Sequence, residues 1–315
     1  MCSSCIAQSD HPDFQELANH FEYSRQAPLN FTEMNVEQRG KIMVVDLEYS
    51  GISQEDHVPA YLVLPPGDGP FPAIIWGHWM KDGSPLRNRE EFLEEALVLA
   101  RSGVMSLLID TPMVRPGYVQ KSPKEDPLGW AEQFCEAERQ QVVDLRRGVD
   151  LLFTRRGIDR QHVAYVGHSF DAHAGALLAG VEKRISAFVL MAGSYNDEAE
   201  VRTATGGDEY QWRQAVGEEK MNEFFREYAW DDPANLVGHT SQSVFLQFAS
   251  GDHISQQQAQ KYLDAFSAKD KKMQIYDADH ALNATARIDR DRWLQQHLKF
   301  KKIDEGALNA IPQLK

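Results

Sequence analysis

The chain has 315 residues, of which 42% are hydrophobic and 25% are charged, so it can bury a sizeable core and does not have a disordered composition. Its 33 basic and 47 acidic residues give a formal net charge of -14, which argues against partnership with a nucleic acid or with an anionic membrane surface. No apolar run approaches the ~18 residues that a membrane span needs.

The N-terminal residues and the three cysteines bear on where the protein resides. The first twenty residues lack the basic start and apolar stretch of a secretory signal, so we expect a cytoplasmic protein, or a secreted protein or lipoprotein if a signal was removed before Cys2. Cys2 and Cys5 form a C-x-x-C without a second ligand pair, and Cys135 falls in a predicted helix. An odd number of cysteines gives no disulfide framework, and we predict neither metal nor redox use of the pair.

The predicted elements begin with a polar segment. Residues 1–40 show no strong periodicity, and we predict an N-terminal arm that contains a short helix. Two runs typical of strands follow at 41–51 and 57–67, joined by a short polar segment. Their spacing predicts an antiparallel pair at the edge of a sheet.

From residue 71 onward, short apolar runs alternate with longer amphipathic stretches. The predicted strands are 71–78, 104–112, 162–169, 185–194, 243–252 and 272–280, and the predicted helices are 89–101, 130–156, 170–180, 255–267 and 282–299. Almost purely apolar strands separated by helices indicate a mostly parallel sheet covered by helices on both faces. We predict one α/β domain over 41–300, followed by a C-terminal tail at 301–315.

Residues 195–240 do not fit this alternation. They separate two predicted strands by more than a simple crossover needs, and they contain many aromatic residues, among them Trp212 and Trp230. Insertions of this length often carry binding functions, so we interpret the segment as a lid or pocket wall. The alternative is a helix whose aromatic side chains belong to the ordinary core.

Candidate catalytic residues follow three of the predicted parallel strands. Ser169 lies in Gly167-His168-Ser169, Asp252 follows the strand 243–249, and His280 follows the last strand. Ligands bind at the carboxyl ends of strands in an open parallel sheet. A serine hydroxyl needs an imidazole to accept its proton, and that imidazole needs a carboxylate to orient it. The order predicts Ser169 as nucleophile, His280 as general base and acid, and Asp252 as its orienting partner.

Each assignment has an alternative. Ser169 could be a helix N-cap, and Asp197 could replace Asp252 as the acid. His253, His168 and His173 compete with His280 for the role of base, and Asp277 and Asp279 are interpreted as turn residues. His78, His168, His253 and Asp252 do not show the ligand spacing of a metal site such as H-E-x-x-H, and no nucleotide-binding glycine motif is present, so we predict no metal and no cofactor.

Four motifs in this order resemble those of the α/β-hydrolase superfamily, and in particular of dienelactone hydrolase-like and acetyl xylan esterase-like carboxylesterases. They are IIWGHW (74–79), VGHSFDA (166–172), ASGDH (249–253) and DADHAL (277–282), and the resemblance covers roughly residues 40–300. It implies an oxyanion hole formed by the backbone N–H groups of His78 and Phe170, with Trp79 replacing His78 if the register slips by one residue.

The chain departs from the G-x-S-x-G pattern of this superfamily at Asp171, where the pattern has a glycine. Asp171 would lie in the first turn of the helix after Ser169, where a carboxylate interacts favourably with the helix dipole. A negative charge near a developing oxyanion is unfavourable. We therefore predict that this side chain points away from the oxyanion hole, held by helix N–H groups or by a neighbour such as His173.

These observations predict a cofactor-independent serine hydrolase that cleaves a small to medium carboxylic ester through an acyl-enzyme on Ser169. Trp79, Trp212 and Trp230 are predicted to line an aromatic substrate pocket. One alternative is a lactone, thioester or peptide hydrolase with the same triad. The other is a catalytically silent α/β-hydrolase scaffold used for binding, because a fold alone does not give a function.

Overall fold

A computed structural model describes residues 13–195, 197–252 and 254–313, and its described strands form one nine-stranded sheet. Cys2, Cys5 and His253 lie outside the described residues. The strands are β1 (Thr32–Arg39), β2 (Ile42–Ser50), β3 (His57–Leu64), β4 (Phe71–Gly77), β5 (Met105–Ile109), β6 (Ile158–His168), β7 (Ala187–Met191), β8 (Ser243–Ala249) and β9 (Lys271–Tyr276). Their order across the sheet is β1-β2-β3-β5-β4-β6-β7-β8-β9.

The sheet is antiparallel at one end and parallel over the rest. Strands β1, β2, β3 and β5 pair antiparallel in turn, and every pair from β5-β4 to β8-β9 is parallel. The six predicted parallel strands correspond to β4 to β9, all of which have largely buried residues except β9. The carboxyl ends of these strands therefore meet at one edge, which is where the predicted site residues lie.

Helices cover both faces of the sheet, which confirms the predicted fold class. They are α1 (Phe14–Asn19), α2 (Leu93–Arg101), α3 (Pro127–Thr154), α4 (Phe170–Val181), α5 (Asp197–Thr203), α6 (Gly207–Val216), α7 (Glu218–Glu227), α8 (Gln256–Ala265), α9 (Ala284–Leu298) and α10 (Glu305–Ala310). Buried residues of α2, α9 and α10 form the core on one face, and those of α3, α4 and α8 form the core on the other. None of the helices in the described ranges is long and apolar enough to cross a membrane.

Local sequence explains where several of these helices begin. Helix α3 starts with Pro127 at its first position, and the side chain of Asp126 accepts a hydrogen bond from Gly129 N. Helix α8 begins with a capping box between Ser255 and Gln258. These caps satisfy N–H groups that have no acceptor inside the helix, so the helix starts are fixed by residues close in sequence.

The two ends of the chain contribute more structure than we predicted. The predicted arm contains helix α1 and, at Thr32–Arg39, the edge strand β1, which pairs with β2 through the register Val36–Val45. The predicted tail contains α10, whose Leu308 is buried. Strand β1 is exposed along most of its length, so it has no buried face to produce an alternating apolar pattern. Backbone hydrogen bonds to β2 hold the strand in place, and the pattern of its side chains does not predict them.

The insertion at 195–240 is helical. It contains α5, α6 and α7, followed by 3₁₀ turns at Ala229–Asp231, Pro233–Asn235 and Val237–His239. Trp212 on α6 donates its indole N–H to the carbonyl of Pro127 at 2.9 Å, which ties the insertion to the start of α3. The insertion therefore packs over the same face of the sheet as α3 and α4.

Candidate active site

Ser169 occupies the tight turn between β6 and α4. Its backbone has φ 57° and ψ -112°, a conformation that residues with a Cβ rarely adopt. The turn is held by a hydrogen bond from Ser169 N to Met191 O at 2.8 Å, and a Cβ on Gly167 would clash with the carbonyl oxygen of Asp171. Strained backbone held by its surroundings is typical of functional sites. The turn thus presents the serine, which is half-buried, at the carboxyl edge of the sheet.

The structure brings His280 and Asp252 together beside this turn. His280 Nδ1 lies 2.8 Å from Asp252 Oδ2, and Gly251 N donates to Ala278 O at 2.9 Å, which joins the two loops. The Asp252 side chain is 6% exposed and that of His280 is 32% exposed, so the carboxylate is shielded while the imidazole can reach a substrate. A carboxylate on Nδ1 leaves Nε2 for proton transfer.

The alternative acid, Asp197, lies elsewhere. Its Oδ2 is 3.6 Å from Nδ1 of His173, a buried histidine on α4. His173 in turn contacts the Ser194 hydroxyl through Nδ1 at 3.1 Å and the Asp231 carbonyl through Nε2 at 3.1 Å. The geometry therefore separates two acid–histidine pairs, one at Asp252 and His280 and one at Asp197 and His173.

His168, directly before the serine, is a fully buried link between the turn and the His280 loop. Its Nδ1 lies 2.6 Å from Glu91 Oε1, its Nε2 lies 2.9 Å from the carbonyl of His280, and its ring stacks on that of His280 at 5.4 Å. A carbonyl oxygen can only accept, so Nε2 carries a proton. Because both ring nitrogens are engaged, His168 cannot act as the base. Glu91 was not predicted as a site residue, since nothing in its local spacing marks it.

We expect His168→Phe to lower the free energy of unfolding by about 3 kcal/mol, because it leaves the buried Glu91 carboxyl without one of its partners. Urea denaturation measures this loss. The matched control is His162→Phe on the same strand, because His162 pairs with Asp159 near the surface and such pairs contribute about 0–1 kcal/mol. Equal losses in the two variants would contradict the linking role of His168.

The predicted oxyanion donors are arranged differently from what the resemblance implies. Trp79 N donates to Glu91 Oε2 at 2.6 Å, so the alternative register is not available for an oxyanion. The His78 N–H lies beside the Asp171 carboxyl, where it opposes the rise in pKa that burial causes. Phe170 N is the first N–H of α4, and such groups have no acceptor within the helix. Phe170 therefore offers a donor, and the His78 N–H lies near a carboxyl group whose Oδ2 has no hydrogen-bond partner among the described residues.

The His78 side chain is structural. Thr111 N donates to its Nε2 at 3.0 Å, and its Nδ1 lies 2.8 Å from the carbonyl of Trp79. This arrangement requires the neutral imidazole, with the proton on Nδ1. Burial lowers the pKa of His78 to about 4, which agrees with that form. The ring fixes the loop after β4 and takes no part in proton transfer.

Asp171 is buried, and neighbouring side chains hold its carboxyl group. Its Oδ1 accepts a hydrogen bond from Gln141 Nε2 at 2.6 Å, and Tyr165 lies 3.3 Å from the same oxygen. The carboxyl packs against Gly77, where a Cβ would overlap it. Neighbouring side chains therefore hold the carboxyl, as one of the two predicted alternatives has it, but they are Gln141 and Tyr165 and not His173. These neighbours reach it because α3 and β4 enclose the first turn of α4. The direction of the side chain relative to the oxyanion hole stays a prediction, because the donors of that hole are themselves proposed.

We expect the stability of the wild type relative to Asp171→Asn to fall as the pH rises from about 5 to about 8, by up to about 1.4 kcal/mol per pH unit. Burial raises the pKa of Asp171 to about 8, although hydrogen bonds from Gln141, Tyr165 and the His78 N–H act to lower it. In this window the folded protein holds a proton that the unfolded chain has lost, so rising pH favours unfolding. Urea denaturation at several pH values tests this. A difference that does not vary with pH would contradict it.

The three tryptophans predicted for the pocket lie in different surroundings. Trp79 is completely buried, stacked on His168 at 5.1 Å, and Trp230 packs against His20 and Phe21. Neither is among the residues that line the cavity of about 300 Å³ between α3 and the insertion, whereas Trp212 is. Contacts remote in sequence cover Trp79 and Trp230, and which of the three rings contacts a substrate stays a prediction.

Comparison with known proteins finds similarity in solved structures. No protein-family model and no curated protein sequence matches the chain. An acetyl xylan esterase from Paenibacillus sp. R4 matches with a TM-score of 0.69 and 18% identity, over 90% of this chain and 92% of that one. Acetyl xylan esterase 1 from Thermoanaerobacterium sp. JW/SL YS485 matches with a TM-score of 0.72 and 16% identity, over 90% and 94%. A glucuronoyl esterase from Solibacter usitatus matches with a TM-score of 0.61 and 12% identity, over 94% and 91%.

Proposed function

We propose that this chain, which has the α/β-hydrolase fold, is a serine hydrolase that cleaves a carboxylic ester through an acyl-enzyme on Ser169. The observation that carries the proposal is the contact of 2.8 Å between His280 and Asp252 beside the strained turn at Ser169. The structures named above are called acetyl xylan esterases and a glucuronoyl esterase, and they support an ester as the bond that is cleaved.

In the proposed mechanism, Ser169 Oγ attacks the ester carbonyl carbon while His280 Nε2 accepts the hydroxyl proton. Asp252 stabilises the resulting imidazolium through Nδ1–H. The imidazolium then gives its proton to the alkoxide oxygen as the carbon–oxygen bond breaks, which releases the alcohol and leaves the acyl group on the serine. A water molecule, deprotonated by His280, hydrolyses this ester and restores the enzyme.

The tetrahedral intermediate carries a negative oxygen that needs hydrogen-bond donors. We assign Phe170 N–H as the first donor and His78 N–H as the second, each worth about 3 kcal/mol in the transition state. The Asp171 carboxyl lies beside the second donor, and burial raises its pKa to about 8, which favours the uncharged form at neutral pH. A neutral carboxyl accepts a hydrogen bond more weakly than a carboxylate, so it competes less with an oxyanion for the His78 N–H.

Labelling with a fluorophosphonate probe tests whether the chain is a serine hydrolase or a catalytically silent scaffold. We expect one covalent adduct per chain, located on Ser169 by peptide mass spectrometry, and the absence of any adduct would overturn the proposal. A panel of p-nitrophenyl esters, lactones, thioesters and peptides then separates the proposed esterase from hydrolases of other bonds that share the same triad. Preference for a lactone, thioester or peptide would keep the mechanism and change the substrate class.

A further inference from the structure

Glu91 is a carboxyl group that lies between two loops of the candidate site. Its side chain is fully buried, and each of its two oxygens contacts a different part of the chain. Oε2 accepts a hydrogen bond from Trp79 N at 2.6 Å, and Oε1 lies 2.6 Å from His168 Nδ1. One side chain therefore joins the loop after β4 to the end of β6.

His168 extends this connection to the proposed general base. Its Nε2 donates to the carbonyl of His280 at 2.9 Å, and its ring stacks on those of Trp79, at 5.1 Å, and His280, at 5.4 Å. Asp252 contacts the ring of His280 at Nδ1, whereas His168 contacts its backbone. The two contacts act on different atoms of the same residue, so together they restrict where Nε2 of His280 can point.

The turn that carries Glu91 is itself fixed on both sides. Before it, Arg89 N donates to Asp110 Oδ1 at 2.7 Å, next to the end of β5. After it, Phe92 is buried and stacks on Trp76 of β4 at 5.0 Å. A residue can position another group only where its own place is set by packing and hydrogen bonds. Glu91 meets this condition.

A role in stability alone is the alternative for this carboxyl group. Burying a carboxyl is costly, and well-packed apolar side chains of similar volume often stabilise a protein equally well or better. The partners of Glu91 adjoin groups of the proposed reaction, since Trp79 follows His78 and His168 precedes Ser169. An apolar residue could supply the stability, but it could not hold both loops through hydrogen bonds.

We propose that Glu91 is a positioning residue for the reaction, which sets the loop after β4 through Trp79 and the backbone of His280 through His168. The inference rests on the proposed function, in which that loop supplies the second oxyanion donor. The role depends on distance and not on charge, because one proton lies between Glu91 Oε1 and His168 Nδ1 whichever group carries it. A displacement of about 1 Å in a reacting group costs about 10²-fold in rate.

Two substitutions separate distance from charge. Glu91→Gln keeps the length, because its amide oxygen can accept from Trp79 N and its amide N–H can donate to His168 Nδ1. Glu91→Asp keeps the carboxyl group but is one methylene shorter, so it cannot reach both partners. We expect kcat for p-nitrophenyl acetate to stay within about threefold of the wild type in Glu91→Gln and to fall at least about tenfold in Glu91→Asp, with little change in KM. Glu90→Asp, at the exposed neighbouring position, is the control and should keep the wild-type kcat.

Titration of the reactive serine with a fluorophosphonate separates positioning from stability. A variant that is only less stable has fewer reactive serines, each with the wild-type turnover. A misplaced base or donor leaves the number of reactive serines unchanged and lowers the turnover of each, which is the result that we expect for Glu91→Asp. Wild-type turnover per serine in Glu91→Asp, or equal losses in Glu91→Asp and Glu91→Gln, would overturn the inference.

Hydrogen exchange distinguishes a failure of this inference from a failure of the proposed function. In Glu91→Asp, the amide groups of 78–81 and 277–283 should exchange at least about tenfold faster than in Glu90→Asp, whether or not an ester is cleaved. Faster exchange in a protein that neither hydrolyses esters nor reacts with the probe would keep the role of Glu91 in fixing the two loops and reject the proposed function. Unchanged exchange in an active enzyme would keep the function and reject the role of Glu91.

Discussion

Ser169→Ala is expected to lower kcat for p-nitrophenyl acetate by at least about 10⁴-fold, because no other group can form the acyl-enzyme at this turn. The turn that presents Ser169 is fixed by its backbone bond to Met191 and by the lack of a side chain at Gly167, neither of which involves the hydroxyl. The variant should therefore fold. Initial rates at saturating ester measure the loss of kcat, and the circular dichroism spectrum shows whether the variant folds.

Ser241→Ala is the control for this variant, because Ser241 is exposed and lies before β8, at the edge of the sheet opposite the turn. Its kcat should remain within about twofold of the wild type. The same fluorophosphonate probe should label the control and fail to label Ser169→Ala. Hydrolysis that survives in a folded Ser169→Ala variant would mean that another group is the nucleophile.

Asp252→Asn is expected to lower kcat by about 10³–10⁴-fold with a small change in KM. An asparagine can hold the His280 ring through a hydrogen bond, but it neither stabilises the imidazolium nor ensures the tautomer with a proton on Nδ1. The effect is therefore on proton transfer rather than on substrate binding. Steady-state kinetics with p-nitrophenyl acetate separates kcat from KM.

Asp277→Asn provides the matched control, because Asp277 lies three residues before His280 on the same loop and is exposed. We expect it to change kcat by less than about threefold. The assignment of the acid would be rejected if Asp252→Asn behaved like this control. A large loss of kcat in Asp197→Asn with an active Asp252→Asn variant would transfer the role to Asp197.

The strands and helices of this chain follow from residues close together in sequence. The runs at 71–78, 162–169 and 243–252 are apolar because both faces of the parallel sheet are buried, and the structure places strands at Phe71–Gly77, Ile158–His168 and Ser243–Ala249. The edge strand Thr32–Arg39 is the exception, because it is exposed and leaves no such pattern.

The candidate site could be predicted in part from the order of its residues along the chain. Ser169, Asp252 and His280 were predicted because each follows a parallel strand, and the structure places His280 and Asp252 in contact beside the turn of Ser169. The sequence could not exclude Asp197, since it also follows a strand. The distance that separates the two acids depends on how α4 and the insertion pack.

The sequence by itself determined the fold class, the order of the elements and the group of strand ends where the chemistry would lie, because apolar periodicity and turn residues act locally. The tertiary structure alone decided the partners of Asp171, the burial of Trp79 and Trp230, and the assembly of a cavity between α3 and the insertion. These contacts join residues from elements distant in the chain. Their distances are set by the packing of whole helices against the sheet, and no local pattern encodes them.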